Sequence, residues 1–273
     1  MQKPLVSVLM PAYNAEKYIG EAIESILNQT FKDFEFIIVD DASTDKTWEI
    51  IQEYAKKDKR ILALKNNNNI KSCLTLIKAF KLAKGKYISV ADNDDISYAN
   101  RLKKQFDFME EHQEVGIAGG VIQIIDQNKK PIAKRKYDIT DCEIRKSIFR
   151  HSPFAHPLIM IRKTVLNKIG YYNPKYAPAD DYDLYFRIGE ISKFANLSEV
   201  LLQYRVVSNS ITNKSTTKME LNTISIRNIY GNTKHYQMTF VDRIYTLMHY
   251  LIIFLLPSKI RLWLFNFIRN SYE

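Results

Sequence analysis

Val6-Ser-Val-Leu-Met-Pro-Ala-Tyr-Asn14 is an apolar run that breaks at a proline, and the way it is followed decides the fold. Val6 to Met10 reads as a buried strand, and Pro11-Ala-Tyr-Asn14 reads as the loop after it. Tyr18, Ala22, Ile23, Ile26 and Leu27 then recur at helical spacing up to Gln29, and Phe34-Glu-Phe-Ile-Ile-Val39 forms a second strand ending at Asp40-Asp41. This is a βαβ unit. Ser43 or Thr44 is placed to cap the next helix, whose Trp48, Ile51 and Tyr54 share a face, and Ile61 to Leu64 is a third strand. After the Asn66 to Asn69 loop, a helix carrying Leu74, Ile77, Lys78 and Lys81 stops near Gly85, and Tyr87 to Ala91 is the fourth strand. Such alternation implies an α/β fold with a parallel sheet. Ligands in such sheets bind at the carboxyl ends of strands, so three loops beginning at Pro11, Asp40 and Asp92 are expected to converge.

Beyond Asp95 the pattern loosens. Leu102, Phe106 and Met109 mark a helix, and Val115 to Ile125 marks a strand. A strand at Leu158 to Ile161, a helix from about Asp180 and a strand at Val200 to Arg205 follow. No repeat or Pro/Gly/Ser-rich linker divides the chain before about residue 212, and the expected boundary is Ser208 to Thr217. A catalytic domain over 1–212 is expected, with a nucleotide half to about residue 100 and an acceptor half over 101–212, followed by a helical region over 213–273.

The 273 residues carry a formal charge of +10, which favours an anionic partner. From Arg205 onward there are nine Lys and Arg against three Asp and Glu, in a quarter of the chain that is also very apolar. That combination suits a membrane surface better than nucleic acid. The short apolar run before Pro11 is too brief for a signal-peptide core with its cleavage site, so the expected location is the cytoplasm. Cys73 and Cys142 have neither disulfide nor zinc spacing and read as buried thiols, and the five histidines show no metal spacing. His156-Pro157, near the expected cleft, is the one histidine to follow.

Two acidic clusters carry the chemistry. Asp92-x-Asp94 at a strand end offers hard oxygen ligands to a magnesium or manganese ion, which stabilises the charge that grows on a departing diphosphate. A solvated acidic turn is the plain alternative. Asp180-Asp-Tyr-Asp183 stands at a helix N-terminus, where acids serve equally as caps and dipole partners or as a base that deprotonates a sugar hydroxyl. Neither a Gly-x-Gly-x-x-Gly nor a Gly-x-x-x-x-Gly-Lys-Ser/Thr run is present, which removes the dehydrogenase and P-loop classes.

In order, Val6 to Asn14, Ile38-Val-Asp-Asp-Ala-Ser-Thr-Asp45, Ala83-Lys-Gly-Lys-Tyr-Ile88 with Asp92-Asn-Asp-Asp95 and Arg101-Leu102, Asp180-Asp-Tyr-Asp-Leu184, and Tyr204-Arg205 with Asn209-Ser210 resemble the motifs of the family 2 glycosyltransferases. The resemblance covers roughly residues 4 to 212. It implies an inverting enzyme with a Rossmann-like GT-A fold, a mixed but mainly parallel sheet and one Mn2+ or Mg2+ ion. Carried over by position, Pro11, Ala12 and Tyr13 line the base pocket, and Asp40 hydrogen-bonds the base. Asp92 and Asn93 face the ribose and sugar, and Asp94, with Asp92 beside it, holds the metal. Asp181 is the general base with Asp180 as its neighbour, so the resemblance tips that acidic run towards catalysis.

At the C-terminus, Leu247, Met248, Leu251, Ile252 and Leu255 form a helical stripe with Ile253 and Phe254 on the other face, and Tyr245 to Leu256 is too short to span a bilayer. With Lys259, Arg261, Trp263, Phe265, Phe267 and Arg269 it reads as an interfacial segment, against packing on the catalytic domain or a second copy. The expected function is hexosyl transfer from a nucleotide sugar, first a UDP-sugar, to a hydroxyl of a saccharide or lipid-linked saccharide in envelope polysaccharide synthesis. The expected place is the cytoplasmic face of the membrane. The alternatives are a polyprenyl-phosphate sugar transferase, a nucleotidyltransferase and a non-catalytic nucleotide-sugar-binding protein, and a homo-oligomer is left open.

Overall fold

The computed structural model describes residues 3–207 and 211–272. In chain order the elements are β1 (Val6–Ala12), α1 (Ile19–Leu27), β2 (Phe34–Asp40), α2 (Thr47–Lys57), β3 (Ile61–Lys65), α3 (Ser72–Leu82), β4 (Tyr87–Val90), β5 (Ile96–Ser97), α4 (Arg101–Glu111), β6 (Val115–Ile125) and β7 (Pro131–Arg135). There follow α5 (Asp141–Ser147), β8 (Met160–Arg162), α6 (Lys163–Ile169), α7 (Asp180–Gly189), β9 (Lys193–Arg205), α8 (Ile211–Tyr230), α9 (Phe240–Leu255), α10 (Ser258–Arg269) and β10 (Ser271–Tyr272).

The strands form one mixed sheet in the order β10-β7-β6-β8-β4-β1-β2-β3, with β9 paired along β6 and β5. The expected nucleotide half is wholly parallel in its main strands: β1 pairs with β2 and β4, and β2 with β3. The antiparallel pairings lie around β5, β7, β8 and β10, in the part whose sequence alternates least clearly. β1 is buried at every position because helices cover both faces. Its Leu9 joins Ile37, Val39, Ile88 and Val90 in one layer of core, while Val6, Val8 and Met10 join Phe36 and Ile38 in the other. The sheet is drawn tight at Gly85, whose N–H donates to Ser7 Oγ at 2.8 Å. A Cβ there would stand 2.5 Å from the Ser7 backbone nitrogen.

Several boundaries move. β1 continues to Ala12, so the loop begins at Tyr13 rather than Pro11. Proline is tolerated because Leu9 faces β4 and its ladder ends at Val90, so position 11 would have no strand partner for an N–H. α2 starts at Thr47 with Lys46 before it, and neither Ser43 nor Thr44 caps it. Asp45 takes the Thr47 N–H instead, and Ser43 Oγ accepts from the Asn14 N–H. β8 begins two residues late, after a short 3-10 turn at His156–Leu158. β9 runs 13 residues from Lys193, far longer than its apolar end at Val200 to Arg205 suggests. Cys73 is buried as expected, but Cys142 is exposed on α5.

Residues 208–210, where the expected boundary begins and where Asn209-Ser210 fall, lie outside the described residues, and 211–217 open α8. α9 is a 16-residue helix that starts five residues earlier than its apolar run, fixed by a capping box between Thr239 and Asp242. Of the nine basic residues in this last quarter, Arg205, Arg227 and Arg261 are buried in hydrogen-bonded positions, so less of the charge reaches the surface than the sequence suggests. α8 packs on α7, and α9 and α10 pack on α8.

Candidate functional site

The parallel half ends its strands on one side, and the loops after β1, β2 and β4 meet there. Asn93 Nδ2 donates to the Pro11 carbonyl at 3.0 Å, joining the acid loop to the end of β1. Pro11 and Ala12 are buried, while Tyr13 is 48% exposed, an aromatic ring held at the rim. Asp40, the last residue of β2, is wholly buried. Its Oδ2 accepts from the Ser43 N–H at 3.2 Å and lies 3.7 Å from Lys65 Nζ, but its Oδ1 has no partner. A buried oxygen of this kind is costly unless a donor meets it. Next to it Asp41 accepts from Asn66 Nδ2 and from the Ile70 and Lys71 N–H groups, folding the Asn-rich loop back over the strand ends.

After β4, the carboxylates of Asp92, Asp94 and Asp95 offer ligand atoms that all lie within 4.8 Å of one another. Asp95 was not among the expected ligands. Its Oδ2 is buried and unpartnered. Burial and the Asp94 carboxylate push Asp92 up to about 7, with Arg101 acting in the opposite sense. Burial also raises Asp94, and it raises Asp95 well above the carboxylate range. Beneath the loop, wholly buried Arg101 donates to Ser89 Oγ, the Val90 carbonyl and Ser97 Oγ. Three crowded carboxylates with an orphaned oxygen fit a divalent cation, whose charge would offset their repulsion and supply Lewis acidity to a diphosphate.

Asp180 and Asp181 occupy the first turn of α7, but Ala179 stands at the cap position and no side chain caps the helix. The capping half of the alternative therefore falls, while dipole stabilisation remains. Asp181 Oδ1 accepts from the Tyr182 N–H at 2.8 Å, and burial pushes its carboxyl up to about 6, within the useful range for a base. Asp180 is raised by burial and then by Asp181. Asp183, in the same acidic run, serves as a brace. Its carboxylate binds Arg187 Nε at 2.9 Å and accepts from Tyr230 Oη at 3.1 Å, tying α7 to α8.

Tyr172 is a member of the site that the sequence did not single out. Its hydroxyl lies 2.7 Å from His156 Nε2, and burial together with the charges of Asp180, Asp181 and Asp92 keeps it protonated. One phenol thus lies within electrostatic reach of both acidic clusters. Burial pushes His156 down to about 4, which leaves it a neutral hydrogen-bonding group. No local pattern marks Tyr172. Only its packing in the tertiary fold, against Phe80 of α3, brings it to the cleft.

A family model described as glycosyl transferase family 2 matches residues 7–170. An uncharacterized glycosyltransferase of Methanocaldococcus jannaschii is 38% identical over 270 residues, which is 95% of this chain and 92% of that one. The O-antigen biosynthesis glycosyltransferase WbnJ of Escherichia coli is 35% identical over 226 residues, covering 80% of this chain and 84% of that protein. Among solved structures, S. aureus TarS 1-349 in complex with UDP-GlcNAc matches with a TM-score of 0.67 and 22% identity, over 92% of this chain and 72% of that one. The fold is GT-A, and the chain belongs to glycosyl transferase family 2.

Proposed function

We propose that the protein moves a hexosyl group, with inversion, from a nucleoside diphosphate sugar to a hydroxyl of a saccharide or lipid-linked saccharide in envelope polysaccharide assembly. Two acidic groups carry this reading: a crowded triad at Asp92, Asp94 and Asp95, whose ligand atoms lie within 4.8 Å of one another, and a base-like carboxyl at Asp181, with charges from both acting on Tyr172. Pro11, Ala12 and Tyr13 wall the base pocket, and the orphaned Asp40 Oδ1 accepts an N–H of the base. Asp92 and Asn93 stand beside the ribose and sugar. Asp94 and Asp92 hold a Mn2+ or Mg2+ ion, which supplies charge for the diphosphate.

Asp181 takes the acceptor proton as the acceptor oxygen bonds to the anomeric carbon from the face opposite the diphosphate. The bond to the phosphate oxygen breaks with its electron pair, which inverts the anomeric centre. Asp180, whose own carboxyl is raised by burial and by the Asp181 charge, stands beside the base as its neighbour. The UDP-GlcNAc bound by TarS makes uridine the first base to test, and the O-antigen role printed for WbnJ supports an envelope saccharide.

No helix among the described residues is long and apolar enough to cross a membrane. We assign 1–212 to catalysis and 213–273 to a seat on the cytoplasmic membrane face. What supports this is an exposed stripe of Phe240, Ile244, Leu247, Leu251 and Leu255 on α9, continued by Trp263 and Phe267 on α10. Exposed Arg243 and Lys259 lie in the same helices.

The test is nucleotide release from UDP-, GDP- and dTDP-sugars with Mn2+, with and without chelator, for wild type and Asp94→Ala. Metal-dependent turnover of one donor that is lost in the variant supports the reading. Binding of a donor without turnover would favour a non-catalytic sugar-nucleotide binder, and no binding or turnover of any donor would point to a non-catalytic role of another kind. Full activity of Asp181→Asn would favour a phosphate acceptor, which needs no base.

A further inference from the structure

We infer that Arg205 is the positioning residue that holds the acid loop in its metal-binding shape, an inference that rests on the metal reading above. Arg205 closes β9, 111 residues from Asp94, and its side chain is almost entirely enclosed. Nε donates to the backbone carbonyl of Asp94 at 2.8 Å, and the Arg205 backbone N–H donates to Asp95 Oδ1 at 2.8 Å. One residue thus grips two consecutive members of the triad. The grip leaves their metal-facing atoms free: the guanidinium takes the main-chain oxygen of Asp94 rather than its carboxylate, and Asp95 keeps Oδ2 without a partner.

The rest of the guanidinium is anchored away from the loop. Its Nη1 donates to the Gln127 carbonyl in the turn between β6 and β7 at 3.1 Å, and its Nη2 pairs with Glu21 of α1 at 2.7 Å. Its central carbon lies 4.5 Å from the centre of the Tyr18 ring. Three supports fix the fork, so its fourth contact can fix the loop. Lysine would keep the positive charge but cannot reach the carbonyl of Asp94, the carbonyl of Gln127 and Glu21 together. A residue that only balanced charge would tolerate that exchange, whereas a residue that sets loop geometry would not.

The experiment titrates Mn2+ into the purified full chain, alone and with saturating UDP, followed by electron paramagnetic resonance, with thermal melts in parallel. Wild type is expected to bind. Arg205→Lys should bind Mn2+ about tenfold more weakly, the range seen when groups that orient ligands are removed. Glu21→Gln, which takes away an anchor at a half-exposed position, should weaken binding about threefold while melting near wild type. A cooperatively melting Arg205→Lys protein that binds Mn2+ within about twofold of wild type would overturn the inference. If that variant does not fold, Glu21→Gln decides alone, and wild-type affinity there overturns it. Failure of wild type itself to bind Mn2+ removes the metal reading and this inference with it.

Discussion

The side-chain nitrogen of Asn93 donates to the main-chain oxygen of Pro11 across 82 residues of sequence, so the acid loop is tied to the end of β1. Asn93→Ala deletes that bond and leaves a carbonyl unpaired, a loss of about 1 kcal/mol. Donor KM should rise about fivefold with kcat nearly unchanged, since the bond orders the donor pocket in ground and transition states alike. Steady-state kinetics against donor concentration checks this.

As the proposed base, Asp181 should work in its ionised form, with its pKa of about 6 setting the acid limb of the rate profile. Above about pH 6 the base is ready, and below it kcat/KM should fall about tenfold for each pH unit. Asp181→Asn should lose about 10²- to 10⁴-fold in kcat and lack that limb. An acid limb that persists unchanged in the variant would assign it to another group.

The same shift has a consequence for stability. A carboxyl raised from the ordinary 3.8 to about 6 by burial makes the folded state less favourable wherever it is charged. The penalty is full above about 6 and fades as pH falls towards 3.8. In the metal-free protein, Asp181→Asn should therefore melt higher than wild type at neutral pH, with the gap closing by about pH 4. Calorimetry across that range reads it directly.

Asp183→Asn should behave in the opposite way. It breaks a buried pair with Arg187 and should cost about 3 kcal/mol of stability, with the surviving folded protein keeping most of its kcat. Chemical denaturation and kinetics on one preparation separate the two effects.

The C-terminal helices should bind vesicles containing anionic lipid and release as salt is raised, because Arg243 and Lys259 stand beside exposed apolar side chains. Replacing Leu251 and Leu255 by Asp should abolish flotation with such vesicles while leaving donor hydrolysis intact. Flotation that is unchanged would point the apolar stripe at a second copy of the chain.

Asp181 and Asp183 show where reading the sequence stops. They are two residues apart in one acidic run, and local pattern gives both the same choice between helix end and base. Burial without a counter-charge raises the carboxyl of one into the range of a base, while Arg187 and Tyr230 make the other a brace. β9 escaped for a similar reason. Asn196 interrupts its apolar pattern, yet its side chain is buried because Nδ2 is paired with the Asp138 and Pro153 carbonyls.

By itself the sequence determined the alternation of strand and helix as far as Tyr87, the convergence of three strand ends and the acid loop at Asp92. It could do so because periodicity, turn residues and strand ends are properties of neighbours along the chain. Tertiary structure alone decided that Asp95 joins the triad, that Tyr172 comes within reach of both acidic clusters, and that Arg205 reaches back to the loop. Those relationships depend on burial and on hydrogen bonds between residues tens to more than a hundred positions apart, and no local pattern encodes a distance.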